Sequence, residues 1–392
     1  MIALLSGCTG AAPPGGASPA PGTPAANPGH INAGLVALAA RLPGAEKLRI
    51  RTDAAGAISK IALYHQDASQ VPAAILALAG EKLPGAKVRR YETEIYADKG
   101  RAFDVEVTSA DGRECEVAAL ASGALLYTEC AIKLDDLPAP VKAAALKIVP
   151  GGQIIEAEHK QGPGVDEHTV EVKGPGLVQY LRLGPGGELL WHGARVPAFL
   201  ELTWDPKAPL PAADDKPGHL DRELIALAAR AEGVQKAKLR TSHAGDVLKI
   251  ALYHKDASQI PAPVKELAVG AGSKLGAYES ELFADKGTVF EVEMLDEHNR
   301  ECEVGARADG QKLYTECSVD AKSVPEKVKA AALAAVPGGT LDEVERKEGD
   351  GAIEYSVEVK SAGGLHYIKV AEGGEILWHG LRLPVDLEVT VP

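Results

Sequence analysis

The chain contains the same sequence pattern twice, and this duplication is the strongest constraint on its fold. The run Arg113–Val117 (RECEV) recurs 187 positions later as Arg300–Val304, and Tyr127–Cys130 (YTEC) recurs as Tyr314–Cys317. Other retained runs are IALYH at 61–65 and 250–254, VKAAAL at 141–146 and 328–333, and LWHG at 190–193 and 377–380. Two segments with so many shared positions are expected to fold in the same way.

The duplication predicts two domains and a connecting segment. We expect the first copy to occupy residues 30–204 and the second copy to occupy residues 218–392. Residues 205–217 contain four prolines and no apolar periodicity, which is typical of a linker.

Each copy is predicted to contain two units in which a helix is followed by an antiparallel β-meander. Apolar residues in 141–149 recur at helical spacing, and Pro150–Gly152 ends that helix. Segments of alternating polarity follow between residues 153 and 191. The same order precedes this unit, with a helix at 69–82 and strands between 88 and 130, after an additional helix at 34–42 and a hairpin at 47–65. The predicted class is α+β, with tandem duplicated units of a helix packed on an antiparallel meander.

Four cysteines predict two disulfide bonds, each within a β-hairpin. In both copies the two cysteines are placed symmetrically about a turn dipeptide, which puts them opposite each other. The pairs are Cys115 with Cys130 around Ser122–Gly123, and Cys302 with Cys317 around Asp309–Gly310. Disulfides form in oxidising compartments, so this pattern predicts export. A zinc site is the alternative, although no histidine has the usual spacing from these cysteines.

The N-terminus resembles a bacterial lipobox. A small residue precedes the cysteine in Leu5–Cys8 (LSGC), which predicts a lipoprotein signal peptide over residues 1–8 and lipidation of Cys8. Residues 9–29 consist almost entirely of Ala, Pro, Gly, Ser and Thr, which predicts an extended tether.

The apolar run is shorter than in ordinary signal peptides, so either the signal begins upstream or Cys8 is a stray cysteine in a disordered terminus. No run approaches the ~20 apolar residues of a membrane span, so we expect membrane attachment through the lipid only.

The second half of each copy resembles the PepSY-like group, in particular its β-lactamase-inhibitor-like branch. The resemblance is carried by 137–144 (LPAPVKAA), 150–152 (PGG), 170–173 (VEVK) and 187–190 (GELL), with counterparts at 324–328, 337–339, 355–360 and 374–377. The first half of each copy matches more loosely. The resemblance implies exported or membrane-attached binding modules, some of which inhibit secreted hydrolases. It implies no shared catalytic residues.

Acidic side chains alternate along the predicted strands, and the hairpin register places two glutamates opposite each other in both copies. The pairs are Glu116 with Glu129, and Glu303 with Glu316. Opposed like charges destabilise a sheet, so a pair that is retained twice indicates a binding role. We predict a docking face for a cationic partner, or a weak divalent-cation site. The net charge of −13 favours a cationic partner and argues against nucleic acid. The alternative is a solvated face whose repulsion is relieved by Arg113, Arg300 and Lys133.

No catalytic constellation is evident in the sequence. Histidines and aromatic residues are retained at 64–65, 191–192, 253–254 and 378–379, but without the spacing of a metal or general-base motif, and we interpret them as core residues at strand ends. Ser69 and Ser258 are interpreted as helix N-caps. Phosphate-loop and dinucleotide-binding glycine patterns are also absent from the sequence.

We therefore predict that the protein is not an enzyme and uses no cofactor. An enzyme that uses the retained His or Glu residues is a second hypothesis, and it requires a cavity where they converge.

Together these features predict a lipid-anchored binding module of the bacterial cell envelope that faces the periplasm or the cell surface. Its expected partner is an envelope protein or peptide of positive charge, and it would dock on or inhibit a secreted hydrolase or peptidase. A structural or sensory envelope lipoprotein without a tight ligand is the alternative.

Overall fold

The computed structural model describes residues 26–42, 44–204, 211, 214–269, 274–296, 298–349 and 351–391. Cys8, the predicted signal peptide, most of the predicted tether and much of the predicted linker lie outside the described residues. Within the described residues, no helix is both long enough and apolar enough to cross a membrane.

Two successive stretches of the chain contain the same order of helices and strands. The first comprises β1 (Gly29–Ile31), α1 (Ala33–Arg41), β2 (Ala45–Thr52), β3 (Ile58–His65), α2 (Ala73–Lys82), β4 (Lys87–Tyr96), β5 (Gly100–Thr108), β6 (Glu114–Leu120), β7 (Leu125–Ala131), α3 (Ala139–Ile148), β8 (Gln153–Gly162), β9 (Val165–Lys173), β10 (Val178–Leu183) and β11 (Leu189–Thr203). The second comprises β12 (Gly218–Leu220), α4 (Arg222–Arg230), β13 (Lys236–Thr241), β14 (Val247–His254), α5 (Ala262–Val269), β15 (Lys274–Phe283), β16 (Gly287–Leu295), β17 (Glu301–Ala306), β18 (Lys312–Ser318), α6 (Glu326–Ala335), β19 (Thr340–Gly349), β20 (Ala352–Ser361), β21 (Gly364–Ala371) and β22 (Ile376–Thr390). The described chain is therefore mostly β with a smaller helical part, which agrees with the α+β class.

The start of α2 differs from the expected serine cap. The carboxylate of Asp67 accepts a hydrogen bond from the backbone N–H of Ser69 at 2.9 Å, at the head of a short 3-10 turn. Helix α2 begins later, at Ala73, after Pro72 and without a side-chain cap. The prediction that Ser69 caps the helix is wrong because the proline, with its fixed φ, sets the first turn. Ser258 likewise follows a capping aspartate, Asp256.

The sheet closes on itself twice, which the sequence did not predict. Strands β2 to β11 pair in chain order, and β2 and β11 both pair with β22, so these eleven strands form the first barrel. Strands β13 to β22 likewise pair in chain order, and β13 and β22 both pair with β11, which forms the second barrel. The meanders are therefore parts of one continuous sheet. Strands β11 and β22, each 15 residues long, take part in both barrels.

Each strand of the barrels has an apolar face and a charged face. The apolar face packs on helices: α2 covers a cluster that includes Val105 and Val117, and α3 covers one that includes Val170 and Leu181. The largest cluster lies between the two stretches and combines residues of α1, α4, β11 and β22. Because successive side chains of a strand point to opposite faces, the charged residues point into the barrels.

The cysteine hairpins have the predicted register at the cysteines and glutamates, and the register shifts by one residue nearer the turn. Cys115 lies opposite Cys130, and Glu116 lies opposite Glu129 on the other face. The two sulfurs are bonded, and Cys115 packs in the apolar cluster beneath α2. The second hairpin repeats this arrangement with Cys302 bonded to Cys317 and Glu303 opposite Glu316.

Candidate binding cavities

The first barrel encloses a cavity of about 380 Å³, which we call the first cavity. Its lining contains lysine and arginine from β2, β3, β4, β8, β10 and β11, glutamate from β4 to β9, and four tyrosines. It extends to the protein surface at Lys99 and Glu114, whose side chains are 45% and 63% exposed. A small charged group can therefore enter from solvent.

The second barrel encloses a smaller cavity of about 230 Å³, the second cavity. Its lining repeats that of the first cavity at equivalent positions of the chain. Lys47, Arg51, Lys60, Lys160, Tyr180 and Arg195 of the first cavity correspond to Lys236, Arg240, Lys249, Lys347, Tyr367 and Arg382 of the second. The two copies thus retain a charged interior as well as a scaffold.

The four glutamates predicted to bind a partner all line these cavities. Glu116 and Glu129 line the first cavity, and Glu303 and Glu316 line the second. Glu129 is only 3% exposed and Glu316 only 7%. The expectation of an acidic face exposed to solvent is therefore wrong, because the sheet curls and encloses that face. Only a small ligand, or a side chain inserted from a partner, can reach these carboxylates.

In each pair, neighbouring groups distinguish the two opposed carboxylates. Burial opposes ionisation of Glu129, but Lys160 lies 2.6 Å away, Thr169 donates a hydrogen bond at 2.7 Å, and the pKa of Glu129 falls to about 2. Burial, with Asp104 and Glu129 nearby, instead raises the pKa of Glu116 well above its usual value. The two carboxyl groups thus differ in their tendency to ionise, which reduces the expected repulsion.

The second pair behaves in the same way. Glu316 accepts hydrogen bonds from Lys347 at 2.8 Å and from Ser356 at 2.7 Å. Burial opposes ionisation of Glu316, yet the lysine lowers its pKa to about 2. Burial and neighbouring carboxylates raise the pKa of Glu303 well above its usual value. The expected relief by Arg113 does not occur, since Arg113 pairs with Asp111 at 2.7 Å.

Each barrel also receives a buried glutamate from the other copy. Glu388, on β22, lies in the first barrel, 2.7 Å from Arg51, 3.6 Å from Arg49 and 3.7 Å from Arg195. Burial opposes ionisation, but these guanidinium groups lower the pKa of Glu388 to about 2.

The equivalent contact occurs in the second barrel. Glu201, on β11, accepts from Arg240 at 2.6 Å and from Arg382 at 3.1 Å. Each copy therefore supplies a carboxylate that its neighbour needs to neutralise buried arginines.

Three carboxylates in each barrel are close enough to share a metal ion. In the first barrel these are Glu92, Glu106 and Glu116, and in the second they are Glu279, Glu291 and Glu303. We call them the first and second triads. In each triad, one oxygen per residue lies within 4.8 Å of the other two.

The retained histidines lie away from the cavities. His65 is fully buried and its Nε2 is 3.0 Å from the hydroxyl of Thr93, while Nε2 of His192 is 2.8 Å from the amide oxygen of Gln179. Neither histidine is among the residues that line the first cavity. The enzyme hypothesis requires these histidines to lie beside the paired glutamates, and the structure does not bring them together.

The basic half of the cavities was not predicted from the sequence. Lys47, Arg51, Lys160 and Arg195 were not identified, although all four have basic counterparts in the second copy. A search for charged residues that are retained at alternating positions of the predicted strands would have found them.

Several solved structures are distantly similar to parts of this chain. No family model matches the chain, and no curated protein matches it. A BLIP-like protein from Bacteroides fragilis is similar over 30% of this chain and 79% of its own, with 23% identity and a TM-score of 0.23. A DUF2874 family protein from Bacteroides uniformis is similar over 31% of this chain and 88% of its own, with 17% identity and a TM-score of 0.27. TM-scores this low support no argument about the present chain, so membership of the PepSY-like group stays a prediction.

Proposed function

We propose that the protein is a binding module of the bacterial cell envelope, attached through a lipid on Cys8, that takes a positively charged group into each of its two cavities. Its partner would be a secreted hydrolase or peptidase, or another cationic envelope protein or peptide, on which the module docks or which it inhibits. The disulfide bonds in two hairpins support an oxidising compartment.

The observation that carries this proposal is the repetition of the charged lining in both cavities. A barrel interior needs only apolar side chains for stability, and buried charges are expensive unless they are paired. Yet both interiors contain ionisable groups from nearly every strand, at equivalent positions. Retention of such groups in two copies is expected if they contact a ligand.

The surplus of carboxylates indicates the charge of that ligand. The first cavity is lined by nine Glu side chains and nine Lys or Arg side chains. Three more carboxylates, from Glu94, Asp104 and Glu388, are almost fully buried in the same barrel. A group with positive charge would favour ionisation of those carboxyl groups whose pKa is raised, such as Glu116, whereas an anion would oppose it.

Calorimetry with two capped tripeptides tests the proposal. Acetyl-Gly-Lys-Gly-amide presents one positive charge, and acetyl-Gly-Gln-Gly-amide has a similar shape without that charge. We expect the chain to bind the lysine peptide at least tenfold more tightly, with an affinity that falls as salt is added. The combined change Glu116→Gln and Glu303→Gln should weaken this binding, because it removes one carboxylate from each cavity.

The control combines Glu81→Gln and Glu326→Gln, whose side chains are 71% and 85% exposed, and it should leave binding unchanged. Equal binding of both peptides, or loss of binding in the control, would contradict the proposal. An envelope protein that the wild-type chain captures and the cavity variant does not is then the candidate partner.

A further inference from the structure

The two triads have a geometry that a single metal ion would satisfy. Each is built by adjacent strands: Glu92 is on β4, Glu106 on β5 and Glu116 on β6, with Glu106 directly opposite Glu116. The second triad uses β15, β16 and β17, with Glu279 directly opposite Glu291, so its member on β16 is the counterpart of Asp104 and not of Glu106. Rigid strands hold all six carboxylates in place.

Buried oxygen atoms without partners lie at both triads. In the first barrel, Asp104 is 1% exposed and is directly opposite Glu92 in the strand register. Its Oδ1 has no hydrogen-bond partner among the described residues, and neither does Oε2 of Glu92. In the second barrel, Glu279 is 1% exposed and both of its carboxylate oxygens lack a partner there. A buried carboxylate oxygen without a donor is costly, so these atoms would be stabilised by a bound cation.

In the first barrel, Lys60, Lys160 and Arg90 do not fill this need. Lys60 pairs with Glu94 and Lys160 pairs with Glu129, so each of these ammonium groups already has a carboxylate. Arg90 pairs with Glu106 at 2.7 Å, but the triad requires only one oxygen from each residue. The unpartnered oxygens of Glu92 and Asp104 remain after these pairs are formed.

We propose that each triad binds one divalent cation of the size of Ca²⁺, an inference that rests on the proposed function because it names the positively charged group in the cavities. Carboxylate oxygens are the ligands that hard cations prefer, and neither triad contains a thiolate or imidazole. Oxygens bound to Ca²⁺ lie about 2.3–2.6 Å from the ion, so two ligands of one ion are at most about 5 Å apart. The oxygens of each triad, which all lie within 4.8 Å of one another, are close enough to share such an ion.

Equilibrium dialysis of the chain against Ca²⁺ alone tests the proposal. We expect two equivalents of Ca²⁺ per chain. Glu116→Gln should leave one equivalent, Glu303→Gln should leave one, and the combined variant should leave none. The exposed control variant, Glu81→Gln with Glu326→Gln, should retain two. Excess Mg²⁺ should displace little Ca²⁺, because Mg²⁺ requires shorter bonds at about 2.0–2.1 Å and loses its water reluctantly.

Several outcomes would overturn the proposal. These are no uptake of Ca²⁺ by the wild-type chain, uptake that persists in the combined variant, or equal loss in the control. Near-UV circular dichroism reports whether each variant is folded, and Glu92→Gln with Glu279→Gln provides a second pair of variants if the first does not fold. Binding of the lysine tripeptide without any uptake of Ca²⁺ would overturn this inference and leave the proposed function standing, whereas absence of both would overturn both.

Discussion

At the scale of single residues, the cavities show how one sheet face can contain many carboxylates. The opposed pair Glu116 and Glu129 is stable because Lys160 and Thr169 fix the charge on one member. Burial removes water from both carboxyl groups. This desolvation raises the pKa of Glu116, the other member of the pair. An ionisable interior of this kind makes the stability of the protein depend on pH.

Glu158 allows that dependence to be measured. Burial, followed by repulsion from Glu129 and Glu156, raises the pKa of Glu158 to about 8. An acid whose pKa is raised by folding stabilises the fold fully below its unfolded pKa of about 4.5, and this contribution is lost as the pH rises through 8. Glu158→Gln should therefore raise the free energy of unfolding at pH 8 by about 1–2 kcal/mol and should have little effect at pH 4.

Urea unfolding of Glu158→Gln and the wild-type chain at both pH values checks this prediction. Glu345→Gln should behave alike, since burial and Glu316 raise the pKa of Glu345 to about 7. Glu81→Gln, at an exposed position, is the control and should show no difference between the two pH values. A benefit at pH 4 that equals the benefit at pH 8 would contradict the explanation.

At the scale of elements, the pairing of β11 with β22 explains the retained sequence Trp-His-Gly. The indole N–H of Trp191 donates to the hydroxyl of Thr390 on the facing strand at 3.1 Å. The Trp191 ring lies against Gly193, where an added Cβ would overlap it. This glycine is retained because the aromatic ring occupies the place of its side chain.

Gly193→Ala should therefore destabilise the protein by about 1–3 kcal/mol, because the indole must leave its position and lose the bond to Thr390. The control is Gly80→Ala in α2, where the added Cβ meets nothing within 4 Å, and it should be stabilising by about 0.5–1 kcal/mol. Urea midpoints of the two variants should thus move in opposite directions from the wild-type value. A neutral Gly193→Ala would show that the ring has room to shift.

The cysteine hairpin of β6 and β7 supplies a second test at this scale. Cys115 and Cys130 are 15 residues apart, and closing a loop of that length stabilises a fold by about 3 kcal/mol. Cys115→Ala with Cys130→Ala should lower the free energy of unfolding by roughly this amount, as measured in urea without reductant. Adding reductant to the double variant should then affect only the bond between Cys302 and Cys317. A midpoint equal to that of the wild-type chain would contradict the prediction.

The same elements show which features the sequence could predict. The cysteines and glutamates lie opposite each other as predicted, but in both hairpins the register shifts by one residue next to the turn, so the turn is not the symmetric two-residue turn that was predicted. Strand β11 was expected only up to Trp191, yet it continues to Thr203. Its second half lies between β13 and β22, and these long-range pairings have no local signal. Because barrel closure depends on that half, the cavities and their basic lining were missed as well.

At the scale of the whole molecule, the two copies are related by an approximate two-fold axis. In the pairing of β11 with β22, Ala198 lies opposite Val385, which is its own counterpart 187 positions later. In the pairing of β1 with β12, His30 lies opposite its counterpart His219. Each copy thus presents a strand that is complementary to the equivalent strand of the other, as in a symmetric dimer.

A single copy should therefore form a homodimer. Residues 26–204 lack β22, so one edge of β11 would be unpaired. The fragment also lacks Glu388, so Arg49, Arg51 and Arg195 would lose this carboxylate partner. A second molecule supplies both, since its own β11 carries Glu201 at the position equivalent to Glu388. Light scattering should give about twice the mass of the fragment, at every concentration at which the fragment is folded.

Glu201→Gln in the fragment should weaken the dimer, because each barrel would then contain buried arginines without a carboxylate. A fragment that is folded and monomeric would show that the first barrel closes without help, and that the exchange of glutamates in the full chain is not required.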